Sequence, residues 1–287
     1  MMTVNLQDIP AFGVAGNFTG HLEQAGEARD FKDMKTAEAK APKAIFPTYI
    51  PRAAEGKADG VPDFLSVFPF SSSRIVFPAG EQKLQCEPEC AVVCAVDWDG
   101  GRITSLRPLA FAASNDCSIR KEGARKISEK KNWGACSKGL SERLIPIDRF
   151  APGGILDRYR IASFLVRGTE TVAYGMDSAV RDYSYFYEKL LGWAVEKFNC
   201  QQDEGPAEDI HAYLCAAGCP KQLLLSVGAT CYTDFGEHNF LHAGDRTAVI
   251  LYPEDAYRPE DIAAIAAAAP DSPVPEDISA LRQLLTV

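Results

Sequence analysis

The segment Leu84–Val96 constrains the fold of this chain most, because it predicts a strand whose two faces are both apolar. Its even positions are all apolar, and its odd positions change from glutamine and glutamate at the start to alanine and valine. A strand of this kind is covered on both sides, so we expect it to be buried between other parts of the chain. Pro88 indicates that the polar end of the strand is an edge or a bulge.

Other alternating and apolar runs predict a β-rich α+β fold with short helices. A turn signal at 99–101 leads into a returning strand, and Arg167-Gly168 joins the two halves of a hairpin. The predicted strands are Arg102–Leu106, Ile161–Val166, Thr171–Tyr174, Leu223–Val227 and Thr247–Tyr252. Between them, an aromatic stripe from Tyr183 to Phe198 has helical period and is interpreted as core packing.

The charge balance makes nucleic acid and membrane surfaces unlikely partners for this chain. Its 30 Lys and Arg against 39 Asp and Glu give a net charge of −9, and the basic residues cluster only within Arg120–Lys131. Binding to phosphate backbones or anionic lipid normally shows a basic excess. No apolar run approaches a membrane span, and Met1–Pro10 lacks the pattern of a signal peptide. Nine scattered cysteines favour reduced core thiols, so we expect a cytoplasmic protein.

The pair Glu87 and Glu89 is the sharpest chemical feature of the sequence. Residues two apart on a strand share a face, so the two carboxylates repel each other beside an apolar surface. A hard divalent cation relieves that repulsion, because Mg²⁺ and Mn²⁺ favour carboxylate oxygens. The alternative is a solvated pair without a metal, which is common on exposed strand faces.

The segment Ser114–Arg120, read as Ser-Asn-Asp-Cys-Ser-Ile-Arg, resembles the fumarylacetoacetate hydrolase superfamily. In that family, a Glu-x-Glu strand precedes Asn-Asp-x-Ser/Thr-x-Arg by about thirty residues, and a Lys-Gly pair such as Lys138-Gly139 follows. The N-terminal motif of the family resembles 17–24, Asn-Phe-Thr-Gly-His-Leu-Glu-Gln. Its C-terminal turns resemble Gly228-Ala229-Thr230 and 241–245, so the resemblance runs from about residue 12 to residue 252.

The resemblance implies a mixed, curved β-sheet roll of the type of that family's C-terminal domain. It also implies a homodimer and a metal site in which Glu87, Glu89 and Asp116 bind Mg²⁺ or Mn²⁺. The implied activity is that of a C–C hydrolase, which cleaves a small 2-oxo acid or diketo acid through a metal-stabilised enolate. The partner is then a small-molecule oxo acid.

The resemblance also assigns roles to the residues around the metal. His21, helped by Glu23 or through Gln24, would activate water or move a proton. Lys138 would add a positive charge near the developing oxyanion.

Two further residues would bind substrate. Arg120 would hold its carboxylate or instead brace the metal ligands, and Thr230 would hydrogen-bond that carboxylate. The family's acid three residues after the histidine is replaced here by Gln24, and Glu27 does not obviously replace it.

These departures leave other functions open. One is decarboxylation, hydration or tautomerisation of a 2-oxo acid at the same site, and another is a scaffold that binds a small molecule without catalysis. A zinc site from His211, Cys215 and Cys219 is a separate alternative, although its spacing is not that of a common zinc knuckle.

We expect a single catalytic domain over 1–252, with a lid-bearing N-terminal segment at 1–63 and a β-rich core at 64–252. An acidic, Ala/Pro-rich helical extension follows at 253–287, with short helices at Pro259–Ala268 and Pro275–Leu285, and packs on the domain or on a second subunit. The segment Gln201–His211 looks like an insertion that shapes the pocket.

Overall fold

Two β-sheets carry the fold in a computed structural model that describes residues 4–32, 34, 36–52, 60–121 and 123–287. The strands of these ranges are β1 (Ala11–Ala15), β2 (Ala44–Tyr49), β3 (Phe70–Ser71), β4 (Arg74–Val76), β5 (Leu84–Gln85), β6 (Pro88–Asp99), β7 (Arg102–Asn115), β8 (Ser118–Ile119), β9 (Lys138–Leu140), β10 (Ile145–Pro146), β11 (Tyr159–Arg167), β12 (Glu170–Ala179), β13 (Gln222–Ala229), β14 (Arg246–Pro253) and β15 (Ser279–Thr286). The α-helices are α1 (His21–Gln24), α2 (Tyr187–Cys200), α3 (Ile210–Ala216), α4 (Asp234–His238) and α5 (Pro259–Ala267). This confirms a β-rich α+β fold in which a mixed, curved sheet is joined by short helices.

The first sheet contains the segment that constrained the fold. Its strand order is β2-β1-β13-β6-β7-β9-β3, with β10 also paired to β7, and β6 lies between β13 and β7. Cys90, Val92 and Cys94 enter one core cluster, whereas Ala91 and Val93 enter another on the opposite face. Burial on both faces is therefore confirmed. The predicted strand is interrupted between β5 and β6, and Pro88 stands at the first position after the break.

The second sheet has the order β12-β11-β14-β15-β4. The predicted hairpin is its β11–β12 pair, which is longer at both ends than the sequence pattern indicated. Helix α2 buries Leu190, Ala194 and Phe198, so the aromatic and apolar stripe is core packing, as predicted. Tyr183 lies before the helix rather than within it.

The prediction of a second helix at Pro275–Leu285 is wrong. The first predicted helix of the tail is α5, but residues Ser279–Thr286 form β15, antiparallel to β14 and parallel to β4. Ser279, Leu281, Gln283 and Leu285 are buried at alternate positions, which is the period of a strand. Pro275 opens a turn, in which its carbonyl accepts from the N–H of Ile278, and so does not start a helix.

None of the helices in the described ranges combines the length and the apolar character that crossing a bilayer requires. The division of the chain at residues 63 and 252 and the homodimer stay predictions.

Candidate metal centre

Three buried carboxylates meet where β6 begins and β7 ends. Pro88 pairs with Asn115 at this edge, so Glu87 and Asp116 flank the last pair of the ladder, and the Asp116 N–H donates to the Glu87 carbonyl at 3.0 Å. Glu89 follows in β6. Ligand oxygens of Glu87, Glu89 and Asp116 all lie within 4.8 Å of one another, and each residue is at most 3% exposed. Three hard oxygen donors in this arrangement fit Mg²⁺ or Mn²⁺.

The backbone around the triad is held by side chains from distant strands. Asn115 Oδ1 accepts from the Glu87 N–H at 3.1 Å, and Asn115 Nδ2 donates to Gln283 Oε1 of β15 at 3.0 Å. On the other side, the Gly228 N–H donates to Glu89 Oε2 at 3.3 Å. Gly228 has a φ of +116° at the irregularity that ends the β13–β6 ladder, where a side chain would be strained.

Three side-chain cations contact the oxygens of the triad. Lys131 Nζ lies 2.6 Å from Glu87 Oε2 and 2.7 Å from Asp116 Oδ2. Lys138 Nζ of β9 lies 2.8 Å from Asp116 Oδ1, and an Arg120 guanidinium nitrogen lies 2.6 Å from Glu87 Oε1. The triad is therefore embedded in positive charge from three separate segments.

The pKa values of the two glutamates are shifted in opposite directions. Burial opposes ionisation of Glu87, but Lys131 and Arg120 hold its pKa well below the ordinary value. Burial raises the pKa of Glu89 well above its ordinary value, and the negative charges of Asp116 and Glu87 add to that effect. A bound cation would favour the ionised form of Glu89.

Arg120 connects the triad to the N-terminal segment. Besides Glu87, it donates to Gln85 at 2.7 Å, to Glu27 at 2.8 Å and to the Tyr232 hydroxyl at 2.8 Å. Arg120 thus holds Glu87 in position, and bracing a metal ligand stays a prediction. Contact of Arg120 with a substrate stays a prediction.

His21 lies buried in α1, with its ring centroid 5.3 Å from that of Tyr232. Burial lowers the pKa of His21. The negative charge of Glu87 raises this pKa and the positive charge of Arg120 lowers it, and the net effect leaves the imidazole neutral near pH 7. Its Nδ1 has no hydrogen-bond partner among the described residues. A buried, neutral imidazole with a free nitrogen is suited to accept a proton.

The two expected helpers of His21 are placed differently from the expectation. Glu23 is exposed, and Gln24 has its amide engaged elsewhere. Gln24 Oε1 accepts from the Tyr232 N–H at 2.9 Å, and Nε2 donates to the Tyr232 carbonyl at 3.2 Å and to Glu237 at 3.1 Å. Gln24 therefore fastens the short helix to the segment after β13.

Glu27 is the carboxylate that turns inward beside the histidine. Glu27 is buried, and its negative charge raises the pKa of His21, against the larger effect of burial. It also accepts from Arg120 and, at 3.0 Å, from Lys130. The sequence spacing did not favour Glu27 as a partner of His21, because it assumed a continuing helix. The chain instead leaves α1 after Gln24 and enters a separate 3₁₀ turn at Ala28–Phe31.

Lys131 and Tyr232 were also missed by the sequence analysis. Lys131 lies in the basic cluster Arg120–Lys131, whose charge alone does not tell which lysines point inward. Tyr232 lies two positions after Thr230, which the sequence analysis had named.

Thr230 is buried beside the start of β6. It donates its N–H to the Pro88 carbonyl at 3.2 Å, and its hydroxyl is without a partner among the described residues.

The segment after α2 braces the lysine-bearing turn Ile127–Lys130. Glu208 accepts from the Ser128 hydroxyl at 2.7 Å, and Lys126 donates to Asp203 at 2.5 Å. A direct role for 201–211 in shaping a pocket stays a prediction.

The zinc alternative finds no support in the described ranges, where the carboxylate triad is the one group of three metal-ligating side chains close enough to share an ion. His211 and Cys215 approach to 3.6 Å, but Cys219 does not complete such a group with them.

Comparison with known proteins finds one family and several solved structures. A model for a family of unknown function, DUF5718, matches residues 27–285, and no curated protein matches. Cg1458 with an inhibitor has a TM-score of 0.54 at 15% identity, over 96% of this chain and 76% of that chain. Yeast ynq8, a fumarylacetoacetate hydrolase family protein, has a TM-score of 0.53 at 12% identity, over 98% and 94%.

A third structure is 2-keto-3-deoxy-D-arabinonate dehydratase complexed with magnesium and 2,5-dioxopentanoate. Its TM-score is 0.52 at 12% identity, over 97% of this chain and 73% of that chain. At these identities the likeness shows a common fold, which is that of fumarylacetoacetate hydrolase family proteins.

Proposed function

The chain belongs to the DUF5718 family, and we propose that it is a Mg²⁺- or Mn²⁺-dependent enzyme that acts on a small 2-oxo acid. The observation that carries this proposal is the buried triad of Glu87, Glu89 and Asp116, with ligand oxygens within 4.8 Å of one another. Burying three carboxylates together is costly unless positive charge compensates them. Arg120, Lys131 and Lys138 contact Glu87 and Asp116, but among the described residues no side-chain cation forms an ion pair with Glu89, and a divalent ion would compensate its charge. The fold shared with a magnesium-containing dehydratase adds support by analogy.

A divalent ion at the triad would supply Lewis acidity, which stabilises negative charge on the oxygens of a 2-oxo acid. The chain's own groups complete the site. Lys138 holds Asp116 and places a second positive charge beside it, while Arg120 holds Glu87 in position. The unpartnered hydroxyl of Thr230 is available to donate to a substrate carboxylate.

His21 is the residue that we propose moves the proton. Burial keeps its imidazole neutral near pH 7, and Nδ1 is free to accept. In hydrolysis of a C–C bond, this nitrogen would take the proton of the attacking water and later return one to the carbon that leaves. Glu27 takes the place beside the histidine that Glu23 was expected to fill, and its negative charge favours the imidazolium that forms.

A second candidate is decarboxylation, hydration or tautomerisation of a 2-oxo acid. The observation that favours it is the engagement of Gln24 with Tyr232 and Glu237 together with the exposure of Glu23. Burial raises the pKa of Glu27, but the positive charges of Arg120 and Lys131 outweigh burial and lower it, which makes Glu27 a weak base. His21 would then act without a second basic group, as these simpler proton transfers allow.

The test begins with metal binding, measured by calorimetry with Mg²⁺ and Mn²⁺, with and without oxalate as a chelating mimic of an enolate. We expect the wild type to bind, Glu89→Gln and Asp116→Asn to lose binding, and the exposed-site control Glu23→Gln to bind normally. Absence of binding in the wild type would refute the metal proposal.

Turnover is tested next, with a panel of acylpyruvates and other 2-oxo acids, and the products are identified by mass spectrometry. Incorporation of water with cleavage into two acids indicates C–C hydrolysis. Loss of CO₂, a gain or loss of water without cleavage, or an isomer of unchanged mass indicates the second candidate. His21→Ala should abolish turnover without changing metal content. If no oxo acid is turned over although the metal binds, the noncatalytic scaffold is the better account.

A further inference from the structure

We propose that Lys131 is an internal cation that competes with the divalent metal for Glu87 and Asp116 and withdraws from them when the metal binds. The inference deepens the proposed function and rests on it, because it presumes a metal site at the triad. It concerns how this chain controls the occupancy of that site.

The first argument is the use of each carboxylate oxygen. Glu87 Oε1 contacts Arg120 and Glu87 Oε2 contacts Lys131, both at 2.6 Å. Asp116 Oδ1 contacts Lys138 at 2.8 Å, and Asp116 Oδ2 contacts Lys131 at 2.7 Å. Every oxygen of two of the three ligands thus touches a side-chain cation. A metal bound to the same oxygens lies a few ångströms from those cations and is repelled by them.

The second argument distinguishes Lys131 from the other two cations. Arg120 also donates to Glu27, Gln85 and the Tyr232 hydroxyl, and Lys138 also donates to the Cys117 carbonyl. Among the described residues, the Lys131 ammonium has hydrogen-bond-distance contacts only with Glu87 and Asp116. It is the one cation shared by two ligands and the one with no other polar anchor.

The third argument is the charge of the buried cluster. Four acids, Glu27, Glu87, Glu89 and Asp116, lie with four bases, Arg120, Lys130, Lys131 and Lys138, and all eight are buried or nearly so. At formal charges, with Glu89 ionised, the side chains alone therefore balance, and a divalent ion adds an excess of positive charge in a medium that screens it poorly. Moving one ammonium away reduces that excess.

The backbone near Lys131 is fastened, so the expected movement is one of the side chain. The Lys131 N–H donates to the Ser128 carbonyl at 3.0 Å. The side chains beside it are also held, because Lys130 pairs with Glu27 and Asp30 at 3.0 Å each and Ser128 donates to Glu208. The four-carbon stem of Lys131 has rotatable bonds that allow its head to leave. Its ammonium also lies 5.2 Å from the centroid of the Phe46 ring, a weak contact that does not depend on the triad.

The experiment compares Mn²⁺ binding to the full-length wild type, Lys131→Met, Lys131→Arg and the exposed control Lys221→Met, by calorimetry and by the electron paramagnetic resonance of free Mn²⁺. We expect Lys131→Met to bind at least tenfold more tightly than the wild type. Lys131→Arg keeps the charge and should show no such gain, and Lys221→Met should match the wild type. A Lys131→Met protein that binds equally or more weakly would overturn the inference.

A second measurement uses the wild type, in case Lys131→Met does not fold. The ¹⁵Nζ resonance of Lys131 is assigned as the lysine signal that disappears in Lys131→Arg, and Mg²⁺ is then added. We expect this resonance to shift as the contacts of Lys131 with Glu87 and Asp116 break, whereas a resonance that is unchanged at saturating Mg²⁺ contradicts the proposal. If neither the wild type nor Lys131→Met binds metal, the proposed function fails and this inference fails with it; binding by the wild type without a gain in Lys131→Met defeats the inference alone.

Discussion

Glu208 is a buried carboxylate whose environment makes stability depend on pH. It is 2% exposed, its Oε1 accepts from Ser128, and its Oε2 has no partner in the described part of the chain. Burial raises its pKa from 4.5 to about 7, although the Ser128 hydrogen bond and the charge of Lys126 oppose the change. Folding therefore favours the protonated acid, and the folded state loses stability as pH rises from the unfolded pKa of 4.5 to about 7.

The sign and size of the effect follow from linkage. A group whose pKa is raised by folding contributes stability that is full below its unfolded pKa, here 4.5, and is lost as pH rises through about 7. One pKa unit corresponds to about 1.4 kcal/mol, so the loss reaches about 3 kcal/mol at pH 8 and is below about 1 kcal/mol at pH 5. Glu208→Gln resembles the protonated acid and avoids this loss.

The assay is urea unfolding of the wild type, Glu208→Gln and the control Glu204→Gln at pH 5 and pH 8. Glu204 lies exposed on the same loop. We expect the stability gained by Glu208→Gln to be about 2–3 kcal/mol larger at pH 8 than at pH 5. Glu204→Gln should show no such difference. A gain from Glu208→Gln that is the same at both pH values would refute the reasoning, because it would mean that folding leaves the ionisation of Glu208 unchanged.

Three other variants test the packing that supports the site. Gln24→Glu replaces a donor by a carboxylate beside Glu237 and the Tyr232 carbonyl, so it should lower the free energy of unfolding by about 1–3 kcal/mol in urea; unchanged stability would contradict the fastening role. Gly236→Ala would place its Cβ 2.0 Å from the Tyr174 carbonyl oxygen, so it should lower the free energy of unfolding by about 1–3 kcal/mol, measured by thermal unfolding. The control Gly192→Ala, whose Cβ would meet nothing within 4 Å, should not lower it. Gln283→Leu removes the acceptor of Asn115 and should weaken Mn²⁺ binding at least tenfold by calorimetry; an unchanged affinity would show that Asn115 needs no such support.

Features that depend on nearby residues were predictable from the sequence. The two-faced strand at β6 and the hairpin of β11 and β12 follow from alternation and turn residues, which act over a few positions. The convergence of Glu87, Glu89 and Asp116 was predictable from the family resemblance. The three residues match the family's metal-binding motif in type, order and spacing, and in that family these positions meet in the folded protein.

Features that depend on distant partners were not predictable in the same way. Residues 279–286 form a strand because β14 and β4 lie on either side of them, and neither neighbour is visible in the local pattern. A lysine or glutamate without a partner favours solvent. Lys131 and Glu27 point inward because each forms an ion pair with a buried group of opposite charge. The polar interior of this site is thus assembled by tertiary contacts that composition and periodicity do not record.

The link between Asn115 and Gln283 has a consequence for the order in which the protein matures during synthesis. The two residues are 168 positions apart, and at about 5–20 residues per second the ribosome needs roughly 8–34 s to add the later one after the earlier one. Gln283 also donates to the carbonyls of Ser71 and Lys138, so it joins three segments that emerge long before it. For that interval a nascent chain therefore carries Asn115 without its Gln283 partner, and β15 adds this contact after the strands that hold the three carboxylates have been made.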